Sequence, residues 1–135
     1  MDLIPISFHK ILQSPTYTVI VLGSDQKKFA IYTESIVGRN LQTYLTEEHK
    51  PRPYTHDLLS DIFHGLDIKV LQVVISGVED TVYYARLFLE QTLGDKKQIL
   101  EIDARPSDCI TLALMHNAPV FCNKSVLEKV IPLQE

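Results

Sequence analysis

The sequence predicts an α+β fold: a single compact domain over residues 1–135, with a mixed, largely antiparallel sheet packed by helices. Three observations lead there. The strand and helix patterns run β-β-α, α-β-β-β-α-β-α, without the regular alternation of a doubly wound sheet. The three strand patterns in mid-chain follow one another through short turns, as in an antiparallel meander. Finally, 135 residues, of which 45% are hydrophobic and 22% charged, suffice for one core without covalent staples.

Residues 17–22 (YTVIVL) and 27–33 (KKFAIYT) flank the turn 23–26 and read as a hairpin. From Glu34 to Leu45 the apolar positions Ile36, Val37, Leu41 and Leu45 take helical spacing, although Gly38 weakens a helix there. A polar, proline-punctuated loop (46–54) follows. The next helix runs from His56 to Leu66, with Thr55 as N-cap and Asp57 answering the dipole. Its residues Leu58, Leu59, Ile62, Phe63 and Leu66 share one arc, and His56, Asp57, Ser60, Asp61 and His64 share the opposite one.

The meander comprises 69–76, 81–90 and 97–103. A helix over 106–116 then begins at Pro106-Ser107-Asp108, a strong start signal, and is apolar nearly all round, which requires burial in the core or an interface. A short strand (119–122) and a last helical turn (124–131) complete the chain. AIYTESI (30–36) and EIDARPSDCI (101–110) both run strand, acidic residue, helix, which raises the expectation of an internal β-β-α duplication.

The formal charge is −4, and each half of the chain carries −2, so no basic stripe exists to grip nucleic acid by charge alone. Cys109 and Cys122 lie in apolar runs and read as buried thiols of a reducing compartment. No leader pattern and no apolar run near the roughly 20 residues of a membrane span is visible, so the expectation is a cytoplasmic protein without a membrane partner.

Two segments carry candidate chemistry: Arg52-Pro53-Tyr54-Thr55-His56-Asp57-Leu58 and Ile102-Asp103-Ala104-Arg105-Pro106-Ser107-Asp108-Cys109-Ile110. Each sets Arg, a hydroxyl residue and Asp at a helix mouth, where unpaired N–H groups favour an anion. Arg offers a planar fork to phosphate, Asp a hard ligand for a divalent cation, and His a proton near neutral pH. For either segment alone, helix capping and ion pairing account for the residues; the recurrence of the pattern is what points to a site. His64, on the polar arc, reads as solvated, and His9, His49 and His116 show no evident partner.

RPYTHDLLSDI at 52–62, YYARLFL at 83–89 and IDARPSDCITLAL at 102–114, followed by Ala118-Pro119, resemble the bifunctional nuclease family in residues, order and spacing over nearly the whole chain. The resemblance implies a small α+β domain, a homo-oligomer, and cleavage of both DNA and RNA. The matching positions are Arg52, Pro53, Thr55, His56, Asp57, Asp103, Arg105, Pro106, Ser107 and Asp108. Met115 stands where the family usually carries Arg or Lys, Cys109 stands where Ala is usual, and the junction at 30–36 lacks a Gly-Pro turn.

The leading expectation is therefore a hydrolase, a DNase and RNase assisted by Mg²⁺ or Mn²⁺. His56, Asp57 and Asp108 would be catalytic, with His56 the general acid or base. Arg52, Thr55, Arg105 and Ser107 would hold the substrate, and Asp57, Asp103 and Asp108 the metal. The alternative is a non-enzymatic oligomeric binding or regulatory module whose motif residues are helix caps and ion pairs. A third reading is a sensor of small anions or nucleotides at the helix N-termini. A shared catalytic site requires the two motifs to meet in space.

Overall fold

The computed structural model describes residues 2–133. Its elements are β1 (Leu3–Gln13), β2 (Tyr17–Gly23), β3 (Lys28–Glu34), α1 (Ser35–Leu45), α2 (Thr55–Gly65), β4 (Ile68–Glu79), β5 (Val82–Leu93), β6 (Lys96–Ala104), α3 (Pro106–His116), β7 (Val120–Asn123) and α4 (Lys124–Lys129). The strands form one seven-stranded sheet in the order β3-β2-β1-β7-β4-β5-β6. All neighbours are antiparallel except β4 and β7. The α+β class with a mixed sheet is as expected.

β1 is the one element absent from the sequence reading, and it is the strand that makes the sheet continuous. Leu3–Ile6 pair with β7, whereas Ser7–Gln13 pair with β2 across an irregularity between Phe8 and Lys10. Pro5 and that irregularity obscure the period-two pattern, but Ile4, Ile6 and Phe8 do alternate toward the core.

The expected β-β-α echo is wider than two strands. β1-β2-β3-α1 and β4-β5-β6-α3 are each a three-stranded antiparallel meander whose outermost strand runs directly into a helix. Counted outward from the central β7, the strand orders mirror each other. β1 and β4 also run in opposite directions, because β7 is antiparallel to one and parallel to the other.

The sheet is rolled. Laid flat, β3 and β6 would stand about 29 Å apart at ordinary strand spacing. Yet Phe29 of β3 stacks on Tyr83 of β5 with ring centroids 5.8 Å apart, and Glu34 at the end of β3 reaches Arg105 beyond β6 at 2.8 Å. Within the roll lies α3, which packs against β3, β4, β5, α1 and α2. This explains a helix without a polar face: Cys109, Ile110, Thr111, Leu112 and Ala113 are all buried in a core shared with Ile20, Leu22, Phe29, Val73 and Leu87. Both cysteines are free and buried, and burial pushes the Cys109 thiol up to about 12 and that of Cys122 to about 11.

The face assignment of α2 needs correction. Leu58, Ile62 and Leu66 are 56%, 45% and 53% exposed, and of the apolar arc only Phe63 is buried, with Leu59 half-buried. The helix turns His56 and Ser60, members of the supposed outer arc, toward α3. There His56 meets Asp108 and Ser60 meets His116, the latter at 2.8 Å, while Phe63 packs its ring on His116. A polar ladder beside one aromatic contact replaces the purely apolar seam that the spacing implied.

Candidate functional site

The two motif segments meet. His56 Nε2 lies 3.0 Å from Asp108 Oδ1, joining the first turn of α2 to the first turn of α3 across 52 residues of sequence. The other oxygen, Asp108 Oδ2, accepts from Arg105 Nε at 3.3 Å, and Arg105 Nη1 donates to Glu34 Oε1 at 2.8 Å. A chain of four charged or titratable groups, Glu34–Arg105–Asp108–His56, therefore runs across the mouths of α1, α3 and α2.

Local sequence accounts for this convergence. β6 ends at Ala104, Arg105 takes the extended N-cap geometry, and Pro106 supplies the fixed φ of the first helical residue. That sequence aims the Asp108 side chain out of the first turn. Glu34 occupies the equivalent N-cap position of α1, and its extended backbone matches that of Arg105. The hydrogen bond from His56 and then the charge of Arg105 hold the Asp108 carboxyl below the usual carboxylate range despite its partial burial. An ionised Asp108 only accepts, so in this contact the Nε2–H of His56 donates to Oδ1. Asp108, then the hydrogen bond to Glu34, raises the pKa of the Arg105 guanidinium.

Asp57 belongs to a second cluster. Burial alone would raise its carboxyl, but Lys50 Nζ at 2.7 Å and the Tyr54 N–H, also at 2.7 Å, outweigh this and lower it. Lys50 further lies 5.2 Å over the Tyr54 ring. The N-cap position of α2 is Tyr54, and Thr55 is the first helical residue, exposed to solvent, so Thr55 is not the cap its residue type suggested. Asp57 performs that role by reaching back to the Tyr54 N–H.

Arg52 is exposed and lines a shallow hollow of about 290 Å³ with Pro53, Tyr54, Thr55 and Leu58. Ser107 is buried, 3% exposed, on the floor of a different cleft of about 260 Å³. This second cleft follows the seam of the rolled sheet, between Ile31–Glu34, Thr81–Tyr83 and Arg105–Ser107. Thus Arg105 and Ser107 share a concavity, and Arg52 and Thr55 share another.

Asp103 is 75% exposed and pairs with Arg86 Nη1 at 3.7 Å, with no hydrogen bond to His56, Arg105 or Asp108 among the described residues. The three acids expected to ligate a metal therefore stand in three separate ion pairs: Asp57 with Lys50, Asp103 with Arg86, and Asp108 with Arg105 and His56. Among the described residues no group of three or more His, Cys, Asp or Glu could hold a metal ion. The donors as placed do not fit a resident divalent cation, because the three carboxylates do not converge and Asp57 and Asp108 are each held by cationic or imidazole partners of the protein itself.

Sequence reasoning missed two participants. Glu34 carried a signal, since it is the acidic residue at the strand-to-helix junction that repeats the later motif. Lys50, in a loop rich in charges, carried none. His116, apparently without a partner, bonds Ser60, and burial lowers its pKa.

The comparisons with known proteins place both motif segments within one family match. The family model for the bifunctional nuclease domain matches residues 20–132, which include both motif segments and the whole Glu34–His56 chain. An uncharacterized protein of Mycobacterium tuberculosis is 31% identical over 77 residues, 57% of this chain and 43% of that protein. Bifunctional nuclease 2 of Arabidopsis thaliana is 29% identical over 84 residues, 62% of this chain and 25% of the plant protein. Bifunctional nuclease 1 of Oryza sativa subsp. japonica is 26% identical over 76 residues, 56% and 23% of the respective chains. The chain thus spans less than half the length of these relatives. Two distant motifs brought to one hydrogen bond, inside a matched span covering most of the sequence, lead to one conclusion: the chain belongs to the bifunctional nuclease domain family.

Proposed function

We propose that this protein hydrolyses phosphodiester bonds of nucleic acid, DNA and RNA alike, at the cluster of His56, Asp108 and Arg105. The observation that carries the reading is the 3.0 Å contact between His56 and Asp108, a carboxylate-oriented imidazole at two helix mouths beside an arginine. In this reading Asp108 fixes the tautomer of His56, and Nδ1 takes the proton of a water whose oxygen attacks phosphorus. The bond to the leaving sugar oxygen breaks, and that oxygen takes up the proton His56 accepted, returned through water, so that phosphomonoester and alcohol form and the imidazole is regenerated. Arg105, 55% exposed, offers its remaining donors to the phosphate, and the seam cleft accepts the neighbouring sugar or base. The nuclease names of the plant relatives support the substrate class.

Purified protein incubated with single- and double-stranded DNA and RNA, with Mg²⁺, with Mn²⁺ and with EDTA, tests the proposal. His56→Ala should reduce cleavage by about 10²–10⁴-fold. Equal cleavage by wild type and a His56→Ala, Asp108→Ala double variant would assign the activity to a contaminant. The EDTA arm separates chemistry by His56 alone from chemistry that needs an ion brought in with the phosphate.

A second reading has its own support. The His56 side chain is only 15% exposed, and Asp57, Asp103 and Asp108 each already have a cationic or imidazole partner. This suits a binding or regulatory module whose motifs fasten three helix entrances. It requires His56→Ala to lose stability while no form of the protein cleaves.

A further inference from the structure

We infer that β6 is the site of self-association, pairing antiparallel with β6 of a second copy about a two-fold axis through Leu100. The sheet has two outer strands. β3, seven residues long, is met at its first residue by the C-terminal segment, whose Leu133 N–H donates to Lys28 O at 2.8 Å, while the neighbouring Lys27 bonds the Leu127 carbonyl. β6 is nine residues long, ends the strand order, and is exposed along its length except at Leu100 and Ala104. It displays Ile99 at 54% and Ile102 at 42% exposure. A long edge with exposed branched apolar groups and unpaired backbone groups is a template for another strand.

The charge pattern names the occupant. Antiparallel pairing of a strand with its own copy keeps the parity of facing residues, so only three registers are near-centred, about Ile99, Leu100 or Glu101. The first sets Asp95 against Asp103, and the third sets Lys97 against Arg105 and Glu101 against itself. The second sets Lys97 against Asp103, Asp95 against Arg105 and Leu100 against its own copy, with no like charges opposed. In that register Leu100 and Ile102 of both copies also form one apolar strip on the core side, since they pair across β5 with the buried Leu89 and Leu87. The same register brings Lys96 and Lys97 of the partner subunit level with Ala104 and Asp103, beside the entrance of α3. The copy would thereby bring two lysines and one acid to the strand end next to Arg105.

Sedimentation equilibrium of the full chain tests this inference independently of any cleavage. Wild type should sediment at twice 15.4 kDa at micromolar concentration. Lys97→Glu, at a side chain 66% exposed, should weaken the dimer about tenfold or more, because it sets two acids against Asp103 in symmetric copies. The double variant Lys97→Glu, Asp103→Lys should restore it, since the pair is re-formed with reversed polarity. Far-ultraviolet circular dichroism confirms that both variants are folded. A wild-type monomer overturns the inference. So does a dimer indifferent to Lys97→Glu, or one the double variant fails to rescue.

Discussion

The two meander-and-helix units, β1-β2-β3-α1 and β4-β5-β6-α3, share a topology but not a role. α1 lies against β1, β2, β3 and α3, burying Val37, Gly38 and Leu41 and leaving Ile36 and Leu45 exposed. α3 is enclosed by five elements and buries seven residues. The first turn of α3 bears Asp108 behind Pro106, whereas the first turn of α1 bears no acid. The first unit contributes instead from one residue earlier, where Glu34 pairs with Arg105 of the second. A repeated scaffold thus places two helix mouths side by side. The mouth of the enclosed helix carries the site, because burial on all sides fixes its direction, and the other mouth supplies a counter-charge.

The largest test of this contrast is in the core. Ile110 on α3 and Leu41 on α1 are both fully buried, yet Ile110 sits where the rolled sheet closes on its helix. Ile110→Ala should cost about 4 kcal/mol and Leu41→Ala about 2 kcal/mol by urea unfolding, within the range of core truncations. Equal losses would show that the two units support the fold alike.

Next comes Gly38. On an exposed helix, alanine in place of glycine stabilises by about 1 kcal/mol. Here an added Cβ would lie 2.1 Å from Thr18 Oγ1 and 1.9 Å from Gln13 Oε1, and Thr18 accepts the Gly38 N–H. Gly38→Ala is therefore expected to destabilise by about 1–3 kcal/mol, and a stabilised variant would contradict the close approach of α1 to the sheet.

The pH dependence distinguishes the two mouths more finely. The folded pKa of Asp108 lies below its ordinary value of 3.8. Its contribution is therefore fully present above that ordinary value and is lost as pH falls through the folded one. Between pH 5 and the acid limb, wild type should lose more stability than Asp108→Asn, as read from urea midpoints. Parallel curves would mean that the His56 and Arg105 contacts do not hold the carboxylate in solution.

The smallest effect belongs to the bridge between the units. Glu34 and Arg105 are more than half exposed, so Glu34→Gln should change stability by less than about 1 kcal/mol. If the proposed chemistry holds, the change appears in substrate binding, because Arg105 is freed from one acid; a Michaelis constant unchanged by Glu34→Gln would confine the bridge to a structural role.

Much of this was legible in the sequence. Periodicity and turn chemistry located ten of the eleven elements to within a few residues, because those signals are local. The recurrence of strand, acidic residue and helix at 30–36 and 101–110 hinted at the doubled unit and marked Glu34. Less was legible where a residue's partner lies far along the chain. The helical wheel set His56 and Ser60 opposite the apolar arc, since it registers apolarity and not that α3 offers Asp108 and His116. The expected cluster of Asp57, Asp103 and Asp108 failed for the same reason: the three acids were grouped by type and motif, while the nearest cation to each was invisible.

The sequence by itself determined the class, the helix entrances and the residues that stand at them, because capping, strand alternation and proline geometry act over a few residues. Only the tertiary structure decided that β1 joins the two halves, that the sheet rolls around α3, and that Glu34, Arg105, Asp108 and His56 form one chain. These are pairings across tens of residues. They are settled by strand register and by the burial of a helix with no polar face, which no local pattern encodes.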